Sequence, residues 1–226
     1  MILLPTYRVI YISCERTGTF SMFKVLRDWY GGVQYIEPLQ CGGFEYWTSC
    51  GNNHARIVPS SCNDWFKFGT CRNPYSRAVS IWWVCTHNIR HETGQVRLPG
   101  FEDMSFPCFA KWLTERLVVP GVTMLLPQHI WYHGLDVEQY IHVERMSEEC
   151  QTLPFWQKPK HVEAASNRTC HLHKPWREYY DKAAQAYIEE WAGEDFEQFG
   201  YSRDIDDKRG TDTFQTYSRR GEIGAG

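Results

Sequence analysis

The stretch "FKFGTCRNPYSRAVSIWW", from Phe66 to Trp83, changes character in its middle. Phe66 to Cys71 is a short apolar run that reads as a buried strand. Asn73 can then N-cap a helix, and Pro74 suits the first helical position, where a missing N–H is least felt. The helical pattern continues to about Asn88. A strand that becomes a capped helix within two residues is the unit from which α/β sheets are assembled. The junction also carries Arg72, Arg77 and several hydroxyls. Two readings fit: a capped helix with a solvated face, or a site for an anion.

A second junction of the same kind lies nearer the start. The opening "MILLPTYRVIYIS" has no basic leading segment and is interrupted by Pro5 and Arg8, so it reads as a first strand and not as a signal peptide. Its β-rich part is Tyr7 to Ser13. "CERTGT" follows as a turn, and Thr19 to Tyr30 has helical apolar spacing at Phe20, Phe23, Leu26 and Trp29-Tyr30, stopped by Gly31-Gly32. Such a junction aims backbone N–H groups and the positive end of a helix dipole at one spot. Gly18 lets a ligand approach the backbone closely. Thr17, Thr19 and Ser21 add hydroxyls, and Arg16 adds a fork of charged donors. The G-x-x-x-x-G-K-[ST] pattern is absent. Taken alone, the segment is a weak signal and also reads as an ordinary turn with Thr17 or Thr19 as helix cap.

The rest of the chain sets these junctions in an alternating pattern. Residues 38–64 are rich in Gly, Asn, Ser and Cys and read as a long irregular excursion. "SFPCFAKWLTERL" predicts a helix from near Ser105, "QYIHVERM" a short strand from Gln139, and Trp176 to Trp191 an amphipathic helix, followed by "EDFEQFGYS". Strands alternating with helices predict a parallel sheet covered on both faces. The 226 residues suit one α/β domain, here 1–202, with a polar tail, 203–226, expected to be mobile or peripheral. A net charge of −3 gives no reason to expect nucleic-acid binding, and no apolar run approaches a membrane span. Nine cysteines, an odd number without regular spacing, predict buried free thiols in a reducing, cytoplasmic compartment. Cys170, His171 and His173 match no four-ligand zinc pattern, and no metal is expected.

Two anion-friendly junctions in one sheet suggest a ligand with two separated acidic groups. Here the residues resemble those of the sulfotransferase family. "ERTGTFS" is similar to its 5′-phosphosulfate loop, and "FKFGTCRNPYSRAVS" to its 3′-phosphate motif, R-N-P-x-x-R-x-x-S after an apolar strand. "NNHARIV" resembles a His-Ala segment carried by bacterial and carbohydrate-type members. "YIHVERM" resembles the strand that brings a glutamate to the sheet edge, and "YIEEWAGEDFEQFGYS" resembles the terminal helix with its D-x-x-x-F-G-Y close. The likeness spans about residues 7–202, in order.

The resemblance implies a P-loop-NTPase-like parallel sheet flanked by helices on both faces, with 3′-phosphoadenosine 5′-phosphosulfate as donor and adenosine 3′,5′-bisphosphate as product. Arg16, Thr17, Gly18, Thr19, Phe20 and Ser21 would hold the 5′-phosphosulfate, and Arg72 and Ser80 the 3′-phosphate. Many members have Lys where Arg16 stands. Arginine does not readily give up its proton, so Arg16 would act by electrostatic clamping. His54 would be the general base, with Glu144 as the other candidate. The expected acceptor is a hydroxyl, or an amine, of a carbohydrate or another small molecule. Two other classes remain: a binding module that keeps the anion cradle without turnover, and a P-loop-like kinase, against which the missing Walker lysine counts.

Overall fold

The computed structural model describes residues 1–35, 57–87, 100–101, 103–115, 123–157 and 174–207. The chain starts with two strands, β1 (Ile2–Leu4) and β2 (Val9–Ile12), and then the helix α1 (Thr19–Tyr30). The two-residue strand β3 (Val33–Gln34), β4 (Phe66–Cys71) and α2 (Pro74–His87) follow. After these come α3 (Phe106–Glu115), α4 (Gln128–Tyr132), β5 (Gln139–His142) and α5 (Met146–Glu149). The helices α6 (Lys182–Trp191) and α7 (Gly193–Gln198) close the described part.

Among the described residues the five strands form one mixed sheet in the order β3-β1-β2-β4-β5. The core of the sheet is parallel: Ile12 stands opposite Gly69, and Cys71 opposite His142. The expectation of a wholly parallel sheet is corrected at one edge, where β1 runs antiparallel to both β2 and β3. The opening segment is two strands instead of one. Pro5–Tyr7 forms a 3-10 turn and Arg8 takes a left-handed φ of 53°. A turn this short can only reverse the chain, because a parallel partner needs a crossover of a dozen or more residues.

Side chains alternate across the sheet. Ile10 and Ile12 pack with Ala78, Val79, Phe109, Trp131, Ile188 and Phe196, so α2, α3, α4, α6 and α7 cover that face. Val9, Tyr11 and Phe68 pack with Met22, Leu26, Ile141 and Met146, so α1 and α5 lie on the other. Each such side chain, fully buried, contributes roughly 1.5–3 kcal/mol relative to exposure. Gly69 faces the first group. A Cβ there would stand 2.7 Å from the Tyr132 ring, so the absence of a side chain lets α4 lie directly on β4.

The helical pattern over Trp176–Trp191 resolves into two pieces. Trp176–Tyr179 is a 3-10 turn, and Asp181 N-caps α6 by accepting from the Ala184 N–H at 2.7 Å. The start of the polar tail is held on the domain: the Arg203 carbonyl accepts from the Tyr75 hydroxyl at 2.8 Å, and the Ile205 carbonyl from Arg177 Nε at 2.9 Å. Residues 208–226 lie outside the described part. The six described cysteines are free, and all but Cys108 are buried; burial pushes the Cys14 and Cys85 thiols up to about 12. Among the described residues no helix is long and apolar enough to cross a membrane.

Candidate functional site

Because β2 and β4 are parallel neighbours, the segments that leave them emerge at the same sheet edge, with the exit of β5 beside them. The edge therefore collects residues 13–18, the Arg72–Asn73 turn and residues 143–145. Gly18 caps α1 with φ 74°, a backbone conformation that favours glycine. A Cβ at Gly18 would also meet Met146 Cε at 2.7 Å. Arg16 takes φ 65°, left-handed for a side chain that rarely adopts it.

The Arg16 guanidinium crosses to α2 and donates to the Ser80 hydroxyl, from Nε at 3.0 Å and from Nη2 at 2.8 Å. Arg72 Nε donates to the Ser76 hydroxyl at 2.8 Å, and its Nη1 approaches the Arg16 carbonyl at 3.5 Å. Ser76 and Ser80, four apart on α2, share one face of the helix, and Arg72, just before it, reaches Ser76. A stripe of hydroxyls thus runs along α2 with one guanidinium at each end.

Not every hydroxyl of the first loop faces that stripe. Thr17 and Thr19 each donate to the Cys14 carbonyl at 2.8 Å, and Thr17 also meets the Thr70 hydroxyl at 2.9 Å. These bonds shape the loop from inside. Ser21 is buried in the first turn of α1, and Phe20 beside it is 57% exposed. The first bond of the helical ladder runs from the Met22 N–H to the Gly18 carbonyl at 3.2 Å, which directs the positive end of α1 at the loop.

Arg77, the second guanidinium of the motif, points the other way. It is 1% exposed and donates to the carbonyls of Glu15 (3.1 Å), Leu126 (2.9 Å) and Met124 (3.1 Å). It ties α2 to the end of β2 and to the 3-10 turn Thr123–Leu125. Glu15, just before Arg16, is also buried. One of its oxygens accepts from the Thr123 hydroxyl at 3.1 Å, and the other has no hydrogen-bond partner among the described residues.

Glu144 stands at the exit of β5 but is 2% exposed. Its Oε1 accepts from the Asn73 N–H at 2.8 Å and its Oε2 from the Tyr201 hydroxyl at 2.8 Å. Burial raises its pKa, opposed by those two donors. With both oxygens engaged in the interior, this carboxylate braces the Arg72–Asn73 turn. The Asn73 side chain in turn accepts from the Tyr75 N–H at 3.0 Å, the cap its position predicts.

The structure thus brings Arg16–Ser21, Arg72, Ser80 and Glu144 to one edge. His54, together with Cys170, His171 and His173, lies outside the described residues. Gln128, His129 and Asp195 are not among the expected site residues; Gln128 bonds to the Arg72 turn, and Asp195 holds both Gln128 and His129. Gln128 and His129 follow Pro127 with no periodic signal, whereas Asp195 and Tyr201 mark the ends of the D-x-x-x-F-G-Y spacing. Among the described residues no group of three or more His, Cys, Asp or Glu side chains is arranged to hold a metal ion. Compared with family models, curated proteins and solved structures, the chain matches none.

Proposed function

We propose that the protein is a sulfotransferase, with a P-loop-like sheet edge that binds 3′-phosphoadenosine 5′-phosphosulfate. One observation carries the reading: the two strand–helix junctions lie side by side, and Arg16 and Arg72 stand at opposite ends of the Ser76–Ser80 stripe. Two fixed positive charges joined by hydroxyl donors suit a ligand with two separated anionic groups. In this reading the Arg16–Ser21 loop and the N-terminal end of α1 take the 5′-phosphosulfate. Arg72 and Ser80 take the 3′-phosphate.

The donor supplies an activated sulfuryl group, which passes to an acceptor hydroxyl as the bond between sulfur and the phosphate oxygen breaks. Arg16 stabilises charge gathering on the leaving phosphate, where a preorganised donor acts most strongly. His54 takes the acceptor's proton, and a general base typically contributes about 10²–10⁴-fold. A carbohydrate or another small hydroxyl compound is the acceptor.

Thermal shift with adenosine 3′,5′-bisphosphate, AMP and ATP-Mg²⁺ at equal concentration tests the reading. The bisphosphate should stabilise most, by about 2.7 kcal/mol at 100 times its dissociation constant. Equal or stronger stabilisation by ATP-Mg²⁺ would favour a kinase. Tight binding of the bisphosphate without transfer to a broad acceptor panel would favour a binding module.

A further inference from the structure

Arg72 is held from behind by residues far away in sequence. Its peptide N–H donates to Gln128 Oε1 at 2.8 Å, and its carbonyl accepts from Gln128 Nε2 at 2.9 Å. The buried glutamine amide therefore acts as a one-residue strand partner, placed where the pairing of β4 with β5 has just ended at Cys71. Gln128 is itself fixed by Asp195 of α7, which is 0% exposed. Asp195 Oδ2 accepts from the Gln128 backbone N–H at 2.8 Å and from Gln128 Nε2 at 3.2 Å. Its Oδ1 accepts from the His129 N–H at 2.7 Å and faces His129 Nδ1 at 2.8 Å.

The next peptide is held by a second relay. The Asn73 N–H donates to Glu144, and Glu144 accepts from the Tyr201 hydroxyl, both at 2.8 Å. Two polar relays thus start six residues apart in the C-terminal segment, at Asp195 and Tyr201, and end on consecutive N–H groups of the Arg72–Asn73 turn. The segment is also docked by Phe196, Phe199 and the Tyr201 ring, which are buried in the apolar core. What the relays add is direction. They fix the backbone from which the Arg72 side chain departs, and a displacement of about 1 Å at a positioning group can cost 10²-fold in function.

We infer that Asp195 and Tyr201 are positioning residues that set Arg72 for its anion through Gln128 and Glu144. The inference rests on the proposed reading in one respect, that Arg72 takes the 3′-phosphate. It is tested with Asp195→Asn and Tyr201→Phe in the full chain. Tyr201→Phe keeps the buried ring, so it tests the same turn should Asp195→Asn fail to fold. Amide exchange at Arg72 and Asn73 should accelerate relative to the amides of β2. Affinity for adenosine 3′,5′-bisphosphate, by calorimetry, should fall about tenfold, the scale of one hydrogen bond to a charged group, while affinity for AMP stays within about twofold. Unchanged exchange at both amides overturns the relay, whether or not nucleotide binds. Accelerated exchange with equal weakening of both nucleotides reduces the segment to a support of the fold and overturns positioning. A wild-type protein that binds neither nucleotide overturns the sulfuryl-donor reading and the ligand role of Arg72, whereas the exchange measurement still decides the relay.

Discussion

Arg16 and Ser80, 64 positions apart, are joined by two hydrogen bonds of 3.0 and 2.8 Å, so the loop after β2 is clamped to the second turn of α2. The clamp holds a left-handed arginine, a conformation that costs of order 1–3 kcal/mol and persists only where its surroundings enforce it. If Arg16 works mainly on the charge that develops during transfer, Arg16→Ala should lower turnover far more than donor affinity. Arg16→Lys should keep part of the activity. Steady-state kinetics alongside binding of the desulfated nucleotide checks this, and an equal loss in both would make Arg16 a ground-state contact.

Arg72→Ala should weaken adenosine 3′,5′-bisphosphate by about 1.5–3 kcal/mol, the range for hydrogen bonds to charged groups. The loss should shrink sharply for AMP, which lacks the 3′-phosphate. Calorimetric titration of both ligands makes the comparison. If both weaken alike, Arg72 serves the fold through Ser76 and the Arg16 carbonyl.

For the base, His54→Ala should slow transfer by about 10²–10⁴-fold with nucleotide binding nearly unchanged. The wild-type rate should fall in acid, because a protonated ring accepts no proton. Glu144→Gln is the companion variant. It removes the charge from a carboxylate whose oxygens already serve Asn73 and Tyr201, so it should act on nucleotide affinity and stability. Abolished transfer in Glu144→Gln with activity retained in His54→Ala would move the base to Glu144.

Stability should depend on two histidines. Asp195 raises the pKa of His129 above its ordinary value, outweighing burial, with Glu194 adding to the shift. For His142 burial opposes the charge, but the Glu149 carboxylate and the Phe199 carbonyl outweigh it and its pKa is also raised. A raised folded pKa stabilises fully below the unfolded value of about 6.5 and loses that contribution as pH climbs through the folded value. Glu149 behaves oppositely: despite burial, its bonds to His142 hold it below the ordinary carboxylate range. Its contribution is lost as pH falls through that lowered value. Tm measured across pH should therefore decline on the alkaline side of about 6.5. His142→Gln should flatten part of that decline, and an unchanged slope would show that the pair is energetically silent.

Gly69→Ala tests the packing of α4 on β4. The added methyl would meet two ring carbons and the hydroxyl oxygen of Tyr132 at 2.7–2.9 Å, and that hydroxyl is anchored to the Thr70 carbonyl at 2.7 Å. Overpacking of this kind typically costs about 1–3 kcal/mol. Denaturant unfolding should show the loss; a neutral variant would mean that the ring can swing aside.

The local elements were legible because their signals are local. Apolar spacing between Gly18 and Gly31 predicts α1 over Thr19–Tyr30, and the Phe66–Cys71 run with Asn73 and Pro74 behind it marks β4 and the start of α2. That two such junctions belong to one α/β sheet also follows from the order of strands and helices. Pro5 signalled a break, but only pairing partners decide that the break is a hairpin, which leaves β1 antiparallel at the edge of a mixed sheet. Nor does the motif tell its two arginines apart. Arg72 reaches the Ser76 hydroxyl, whereas Arg77 turns inward because three carbonyls from distant turns converge on it. Glu144 as a buried brace, and Asp195 and Gln128 as supports of Arg72, depend on bonds spanning 56 to 71 residues. Periodicity and capping report neighbours along the chain; a buried polar group takes its partner from whatever the packed layers bring within about 3 Å, and only the tertiary structure decides that.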